Sequence, residues 1–407
     1  MNGAPQPAVP RPLSIVIVAA EESGDALGAA LARALRAREG EALKLLGVGG
    51  RAMAAAGIAS PFPIDDLAIV GLTAIPQKLP LIFRRIRETV EMVIAAKPDA
   101  LVIVDSPDFT HRVARRVRRR VPSIPIIDYV SPQVWAWRPG RARTMRAYVD
   151  HVLAILPFEP AEHQRLGGPP CTYVGHPLSE RLAELRPNAE EAKRRQAEPP
   201  VVLALPGSRG SEIKRLLSVF GETLGRVAAS AGTIDLMLPT VPHLLARVRE
   251  GTAGWPVRPR IVVEQADKWA AFRSARAALA ASGTVTLELA LAGIPTVAAY
   301  RVHELEAMIA RLIRLRTRLP SLILANLVIG ENVMPELIQE DCTVDKLTAA
   351  LLPLLSNTPE WRRQVEGFSR LDGILGIAQP ASASGASNSA KAADIVLAET
   401  RRGRAPD

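Results

Sequence analysis

Short apolar runs alternate along the chain with longer stretches in which apolar positions recur every third or fourth residue. The short runs predict strands at Leu13–Ala20, Leu43–Val48, Ala100–Val104, Ile124–Val130 and His151–Leu156. A second set follows at Val201–Leu205, Asp235–Pro239, Arg260–Val263, Ala277–Ala280 and Thr296–Tyr300. The periodic stretches predict helices, among them Asp25–Arg38 with Leu27, Leu31 and Leu35 on one face, Lys78–Ala96, Thr110–Arg120, Glu212–Ala229, His243–Glu250, Lys268–Ala275 and Thr286–Ala292. Continuous apolar strands alternating with amphipathic helices are the mark of parallel sheets covered on both faces. Residues 184–200 break the pattern: they are charged and Pro-flanked, and read as a linker. Two Rossmann-like domains are therefore expected, 13–184 and 200–378, with a ligand cleft between them. Residues 1–12 predict a loose tail. Residues 379–407 predict a Ser/Ala-rich stretch and a final helix (Ala392–Thr400) that packs back on the first domain or swaps with a neighbour.

At 407 residues the chain exceeds one ordinary core. Its 51 Lys and Arg against 41 Asp and Glu leave a formal charge of +10, which favours an anionic partner. The excess is mostly Arg, whose fork suits phosphate. Aromatic residues are only 4%, too few for the basic, stacking surface of a nucleic-acid binder, so no nucleic-acid partner is expected. Cys171 and Cys342 fit free thiols in a reducing compartment. The His residues are scattered and no Cys/His cluster has ligand spacing, so no metal is expected. Leu13–Ala20 runs into Glu21, Glu22 and Asp25 rather than a cleavage site, so it reads as a strand and not a signal peptide. The longest apolar candidate, Ala277–Tyr300, carries Glu288 and several Gly and Thr, which argues against a membrane span. A cytoplasmic protein is expected, and one able to lie on an anionic bilayer. Met308, Ile309, Leu312 and Ile313 interleave with Arg311, Arg314, Arg316 and Arg318, and Leu79–Val90 carries Arg84, Arg85 and Arg87. A helix with one core face and one solvated Arg face has the same pattern.

The residues that carry chemistry gather just past strand ends. Pro206-Gly207-Ser208-Arg209-Gly210-Ser211-Glu212 follows an all-apolar strand and opens a helix. Gly207 lets the backbone approach a ligand, helix-start amides attract anions, and Ser208 and Arg209 add a hydroxyl and a bidentate fork. A plain Gly turn capped by Ser211 fits the same letters. The loop lacks the Lys-Ser/Thr of a P-loop, which disfavours an ATPase. Ser282-Gly283-Thr284-Val285-Thr286-Leu287-Glu288 repeats the arrangement, with Glu288 placed to accept from a ribose diol or to complement the helix end. Two such starts in one domain favour a nucleoside diphosphate. Asp105-Ser106-Pro107-Asp108 sets two carboxylates at a strand end; Asp105 is the candidate general base and Asp108 its support, or the cap of the next helix. Glu21, Ser23, Gly24 and Asp25 form a turn on the same edge, with no Gly-x-Gly-x-x-Gly to suggest a dehydrogenase. Two of the five Trp fall in Val130–Arg138, where Gln133, Trp135, Trp137 and Arg138 read either as a ligand grip or as a plug under a loop.

With these blocks in this order, the sequence resembles the lipid-A-disaccharide synthases, inverting glycosyltransferases of lipopolysaccharide biosynthesis. The resemblance runs from about Leu13 to Leu355. It is carried by Glu-x-Ser-Gly-Asp (21–25), Asp-Ser-Pro-Asp-Phe (105–109), Val-Ser-Pro-Gln-Val-Trp-Ala-Trp-Arg (130–138), Leu-Pro-Phe-Glu (156–159), Val-Gly-His-Pro-Leu (174–178), Pro-Gly-Ser-Arg-Gly-Ser-Glu (206–212) and Ala-Ser-Gly-Thr-x-Thr-Leu-Glu (281–288). Tyr300-Arg301-Val302 and the region of Asn326 add to it. It implies a GT-B fold, two Rossmann-like parallel-sheet domains facing a central cleft, with the nucleotide on the second domain and the acceptor on the first. It implies UDP-2,3-diacylglucosamine as donor, 2,3-diacylglucosamine 1-phosphate (lipid X) as acceptor, and a β(1→6)-linked disaccharide 1-phosphate and UDP as products, with no cofactor. It adds Asn326 to the donor residues and His176 to the acceptor residues. It implies a peripheral enzyme on the inner face of the cytoplasmic membrane of a Gram-negative bacterium, and leaves a homodimer open.

The chain departs from the family pattern at Ala20 and Glu22, at Ala74 where the family has Glu, and at Ala325 and Glu331 where it has Pro and Arg. These positions bear on acceptor preference rather than on the two helix-start loops. Two other readings stand beside the resemblance. One is a different GT-B UDP-sugar enzyme, such as a UDP-N-acetylglucosamine epimerase or the peptidoglycan glycosyltransferase that acts on a lipid carrier. The other is a non-catalytic nucleotide- or lipid-binding scaffold on the same frame.

Overall fold

The computed structural model describes residues 11–67, 75–136, 138–301, 320–377 and 387–403. The basic stretch at Met308–Arg318, Ala74 and Trp137 lie outside the described residues. The chain divides into two compact units, the first made of Met1–Pro177 and Ala381–Asp407, the second of Leu178–Pro380. The segment 184–200, whose composition suggests a linker, folds within the second unit. There the Arg195 guanidinium donates to the carbonyls of Phe272 (3.1 Å), Ala292 (3.1 Å) and Gly293 (3.2 Å).

In the first unit, strands β1 (Ser14–Ala19), β2 (Lys44–Val48), β3 (Ala100–Val104), β4 (Ile126–Tyr129), β5 (His151–Ala154) and β6 (Cys171–Tyr173) form one sheet in the order β2-β1-β3-β4-β5-β6. All neighbours are parallel. The unbroken apolar strands are explained by cores on both faces. Along β1, Ile15, Ile17 and Ala19 enter one cluster and Val16 and Val18 the other; along β3, Val102 and Val104 oppose Leu101 and Ile103. Helix Glu22–Glu39 covers the first face with Leu31 and Leu35, and helices Ile75–Ala96 and Pro107–Arg120 cover the second with Val90, Val93, Val113 and Val117.

The final helix, Asn388–Arg402, belongs to the same face as Glu22–Glu39. It buries Ala392, Ala393, Val396 and Leu397 there. Asp394 is ion-paired with Arg38, and Asn388 Nδ2 donates to the His176 carbonyl at 2.9 Å.

In the second unit, β7 (Val201–Leu205), β8 (Asp235–Pro239), β9 (Arg260–Val262), β10 (Ala277–Ala281), β11 (Thr296–Tyr300) and β12 (Glu336–Ile338) form a second all-parallel sheet, ordered β12-β11-β10-β7-β8-β9. Strands β6 and β12 have no counterpart among the predicted strands. Each is a three-residue edge strand, too short to show a run or an alternation.

Both sheets reverse strand order once, which fixes where ligands can enter. In the first the reversal falls between β1 and β3, in the second between β7 and β10. Helices diverge from such a point onto opposite faces and leave a crevice at the carboxyl ends of the two strands.

Candidate functional site

At the reversal of the first sheet, the turn after β1 meets the turn after β3. Ser23 Oγ donates to Asp105 Oδ2 at 3.2 Å. Gly24 permits the approach: a β-carbon there would lie 3.1 Å from the Val104 carbonyl oxygen and 3.6 Å from Asp105 Cβ. Asp105 and Ser106 both adopt left-handed backbone, φ 51° and 48°. Two such non-glycine residues in succession cost about 1 kcal/mol or more each. The turn is held by Asp105 N donating to Tyr129 O (3.0 Å), Ser106 N to Asp105 Oδ1 (2.7 Å) and Thr110 Oγ1 to Asp105 O (2.6 Å). The strained bend lifts a half-buried carboxylate to the strand edge, where a hydroxyl substrate can reach it. Asp108 lies in the first helical turn, exposed, 3.8 Å from Arg141. It does not cap the helix; Ser106 holds that position without a side-chain bond.

The other acids of the first turn divide. Glu21 is exposed at the helix start. Asp25 is buried and accepts the amides of Gly50 (2.7 Å), Ala52 (2.8 Å) and Met53 (3.0 Å). Its carboxylate pins the loop after β2 and caps helix Arg51–Ala55.

The Trp block begins at a bend where Val130 takes φ 79°. Gln133 and Arg138 are exposed, and Trp135 is half-buried. Trp135 packs edge-to-face on Phe158, centroids 5.2 Å apart, and its Nε1 donates to Glu159 Oε1 at 3.2 Å. Glu159 also accepts the Leu156 amide at 3.0 Å and is only 1% exposed. Burial pushes its pKa up to about 7, against the pull of those two donors. Beneath the block, Ser131 Oγ lies 2.7 Å from His163 Nε2, and burial lowers the His163 pKa. Trp135 is thus partly the plug that one reading of the block anticipated. His176 is buried, and burial pushes its pKa down to about 4, so it is neutral at pH 7.

At the reversal of the second sheet, the loops after β7 and β10 follow neighbouring parallel strand ends. Pro206 is buried and Ser208 and Arg209 are exposed. Gly207 has φ 113°, and a β-carbon there would collide with the Glu212 carboxylate. Glu212 Oε2 accepts the amides of Ser208 (3.0 Å) and Arg209 (3.2 Å), and its Oε1 takes Arg209 Nη1 at 3.0 Å. An internal carboxylate thus occupies two amides that the sequence offers to a phosphate. The amides of Gly210 and Ser211, next in the first turn, have no intrahelical acceptor.

In the loop after β10, Ser282 is half-buried and Gly283 and Thr284 are exposed, followed by helix Val285–Leu291. Thr286 Oγ1 closes the turn onto the Gly283 carbonyl at 2.7 Å. Glu288 is paired with Lys268 at 2.7 Å, whose ammonium sits 4.3 Å from the Trp269 ring centroid. Asn326 is buried with both donors and both acceptor positions filled. It donates to Met334 O (2.9 Å) and Ser321 Oγ (3.3 Å), and accepts from Val333 N (3.1 Å) and Met334 N (2.9 Å). It brackets helix Leu324–Ile329 against the following segment. Glu331 pairs with Arg363 (3.1 Å) and Arg370 (2.8 Å), which hold its carboxyl below the usual range.

Three residues of these sites escape sequence reasoning as site residues: Glu159, Glu212 and Lys268. Glu212 had a signal, an acid three residues past the helix-start Arg209, as in a capping box. Glu159 stands in a quoted block without an assigned partner, and Lys268 has no local signal.

Comparison with known proteins gives concordant matches. The family described as Lipid-A-disaccharide synthetase matches residues 15–375. A lipid-A-disaccharide synthase of Bradyrhizobium diazoefficiens is 61% identical over 390 residues, 96% of this chain and 97% of that one. One of Rhodopseudomonas palustris is 60% identical over 388 residues, 95% of this chain and 96% of that one. Among solved structures, the UDP-GlcNAc 2-epimerase from Neisseria meningitidis, bound to UDP-GlcNAc, aligns with a TM-score of 0.58 at 13% identity, over 96% of this chain and 99% of that one. That likeness carries the fold alone: the GT-B class, two parallel α/β units.

Proposed function

The chain belongs to the lipid-A-disaccharide synthetase family, UDP-sugar glycosyltransferases that form the lipid A disaccharide, and on that premise we propose its substrates and site roles. The donor is UDP-2,3-diacylglucosamine and the acceptor 2,3-diacylglucosamine 1-phosphate. The products are the β(1→6)-linked disaccharide 1-phosphate and UDP.

The acceptor's 6-hydroxyl attacks the donor's anomeric carbon as the bond to UDP breaks, with inversion. Asp105 takes the hydroxyl proton, and Ser23 orients the carboxylate from the neighbouring turn. Positive charge grows on the sugar ring in the transition state, as in glycoside hydrolysis. Negative charge grows on UDP. Arg209, Ser208 and the helix-start amides of the loops after β7 and β10 take up that charge. The observation that supports this reading most directly is the Ser23–Asp105 bond across the first sheet's reversal.

No helix among the described residues is long and apolar enough to cross a membrane. Leu79 and Phe83 are exposed on helix Ile75–Ala96, beside Arg84. This suits a protein that rests on the inner face of the cytoplasmic membrane through that helix, where acylated substrates reside.

The test is incubation of the purified chain with labelled donor and acceptor. Disaccharide and UDP should appear one for one. UDP release without disaccharide would point to hydrolysis or epimerase chemistry, and no turnover to a binding scaffold.

A further inference from the structure

Beside the Asp105 turn, a groove of about 520 Å³ opens between helices Pro107–Arg120 and Gly140–Met145. One wall is a row of guanidiniums, Arg112, Arg115, Arg116 and Arg119, three and four residues apart on one helix face. Arg138, whose backbone is left-handed at φ 56°, and Arg141 stand on the other side. Asp108 is the one carboxylate among the described residues that line it. Like charges at a spacing of four repel modestly, and an anion seated among them relieves that repulsion.

The row is also anchored. Arg115 stacks over the Tyr148 ring at 4.7 Å and donates to its hydroxyl at 3.2 Å, and that hydroxyl lies 3.0 Å from His111 Nδ1. Arg112, the member of the row nearest Asp108, lies 5.8 Å from the ring centroid of exposed Phe83. The groove therefore has the carboxylate turn at one end and arginines along its wall, with an exposed aromatic ring beside the arginine nearest that turn.

We propose that this groove binds the phosphate monoester of a sugar phosphate, the 1-phosphate of the acceptor. The assignment rests on the reading that the first unit holds the acceptor. A monoester dianion offers three oxygens to several forks at once, which a bilayer phosphodiester with one charge does not. The same groove then sets the substrate's direction: phosphate among the arginines, acyl chains toward Phe83, free hydroxyl toward Asp105.

The test uses the full chain and the double variant Arg112→Ala/Arg119→Ala, which leaves the Arg115–Tyr148 anchor in place. Glucosamine 1-phosphate is the soluble probe in calorimetry. The double variant should bind it at least about tenfold more weakly, with UDP affinity unchanged. Its KM for the acylated acceptor should rise by a similar factor while kcat stays within about twofold. Wild type should prefer the acceptor over its dephosphorylated form, and the double variant should lose that preference. Arg112→Lys/Arg119→Lys, which keeps the charge, should recover part of it.

A double variant that keeps the wild-type preference overturns the proposal. So does one whose loss shows only as weaker binding to phosphatidylglycerol vesicles, which assigns the groove to bilayer headgroups. If wild type binds glucosamine 1-phosphate through these arginines yet transfers no sugar, the groove stands and the proposed reaction falls.

Discussion

Ser23 Oγ donates to Asp105 Oδ2 at 3.2 Å, from a turn eighty-two positions away in sequence. The bond joins the two loops that flank the reversal of the first sheet. The carboxylate is otherwise bonded through Oδ1 to the next amide, Ser106 N, at 2.7 Å. One oxygen is thus fixed by its own turn and the other is aimed by the neighbouring one. Ser23→Ala should leave the fold intact, because Ser23 is exposed. It should lower kcat by about five- to tenfold, the net worth of one hydrogen bond at an open site. Steady-state kinetics with both substrates would check this. An unchanged kcat would remove Ser23 from the positioning role.

Arg209 is exposed, and its guanidinium bonds Glu212, within its own loop. Arg209→Ala should therefore shift stability by no more than about 0.5 kcal/mol. UDP should bind about tenfold more weakly, since a charge-assisted bond to phosphate is lost. Calorimetry with UDP and a thermal melt would separate the two effects. A large drop in Tm with UDP affinity unchanged would make the residue part of the loop's cap and nothing more.

Glu159 predicts a pH dependence of stability. Its pKa rises from 4.5 to about 7 in the folded chain, chiefly through burial. Between those values the folded state holds a proton that the unfolded state has released. The contribution is complete below pH 4.5 and is lost as pH climbs through about 7. The whole span is worth about 3 kcal/mol. Glu159→Gln keeps the neutral shape without the titration. Urea unfolding at pH 5 and pH 8 should show wild type losing roughly 2 to 3 kcal/mol relative to the variant over that interval. Parallel behaviour of the two proteins would rule out a neutral buried Glu159.

Ten of the twelve strands among the described residues were legible in the sequence because most are runs of apolar letters buried on both faces, and β6 and β12 were not. Ala100–Val104, Val201–Leu205, Asp235–Pro239 and Thr296–Tyr300 coincide with the predicted limits. Several helices start earlier than predicted: Glu22 rather than Asp25, Pro107 rather than Thr110, Gly210 rather than Glu212. Their first turns are made mostly of Gly, Pro, Ser and acids, which sit outside the apolar stripe that periodicity detects. The same short polar segments carry the candidate site, so their letters could be picked out while their bonds could not. Glu159 reaching Trp135, Lys268 reaching Glu288 and Asp25 reaching Gly50 all join segments that no periodicity connects. Asn326 shows the converse: a residue singled out by its motif has every hydrogen-bonding position filled by its own chain.

The most direct measurement compares wild type with Asp105→Asn in the disaccharide-forming assay, alongside UDP binding to each. Asparagine keeps the side chain's shape and its place beside Ser23 but takes up no proton. Turnover should fall by about 10²- to 10⁴-fold, the usual share of a general base, with the UDP dissociation constant unchanged. An Asp105→Asn protein that still forms disaccharide at close to the wild-type rate would contradict the assignment of proton removal to this carboxylate.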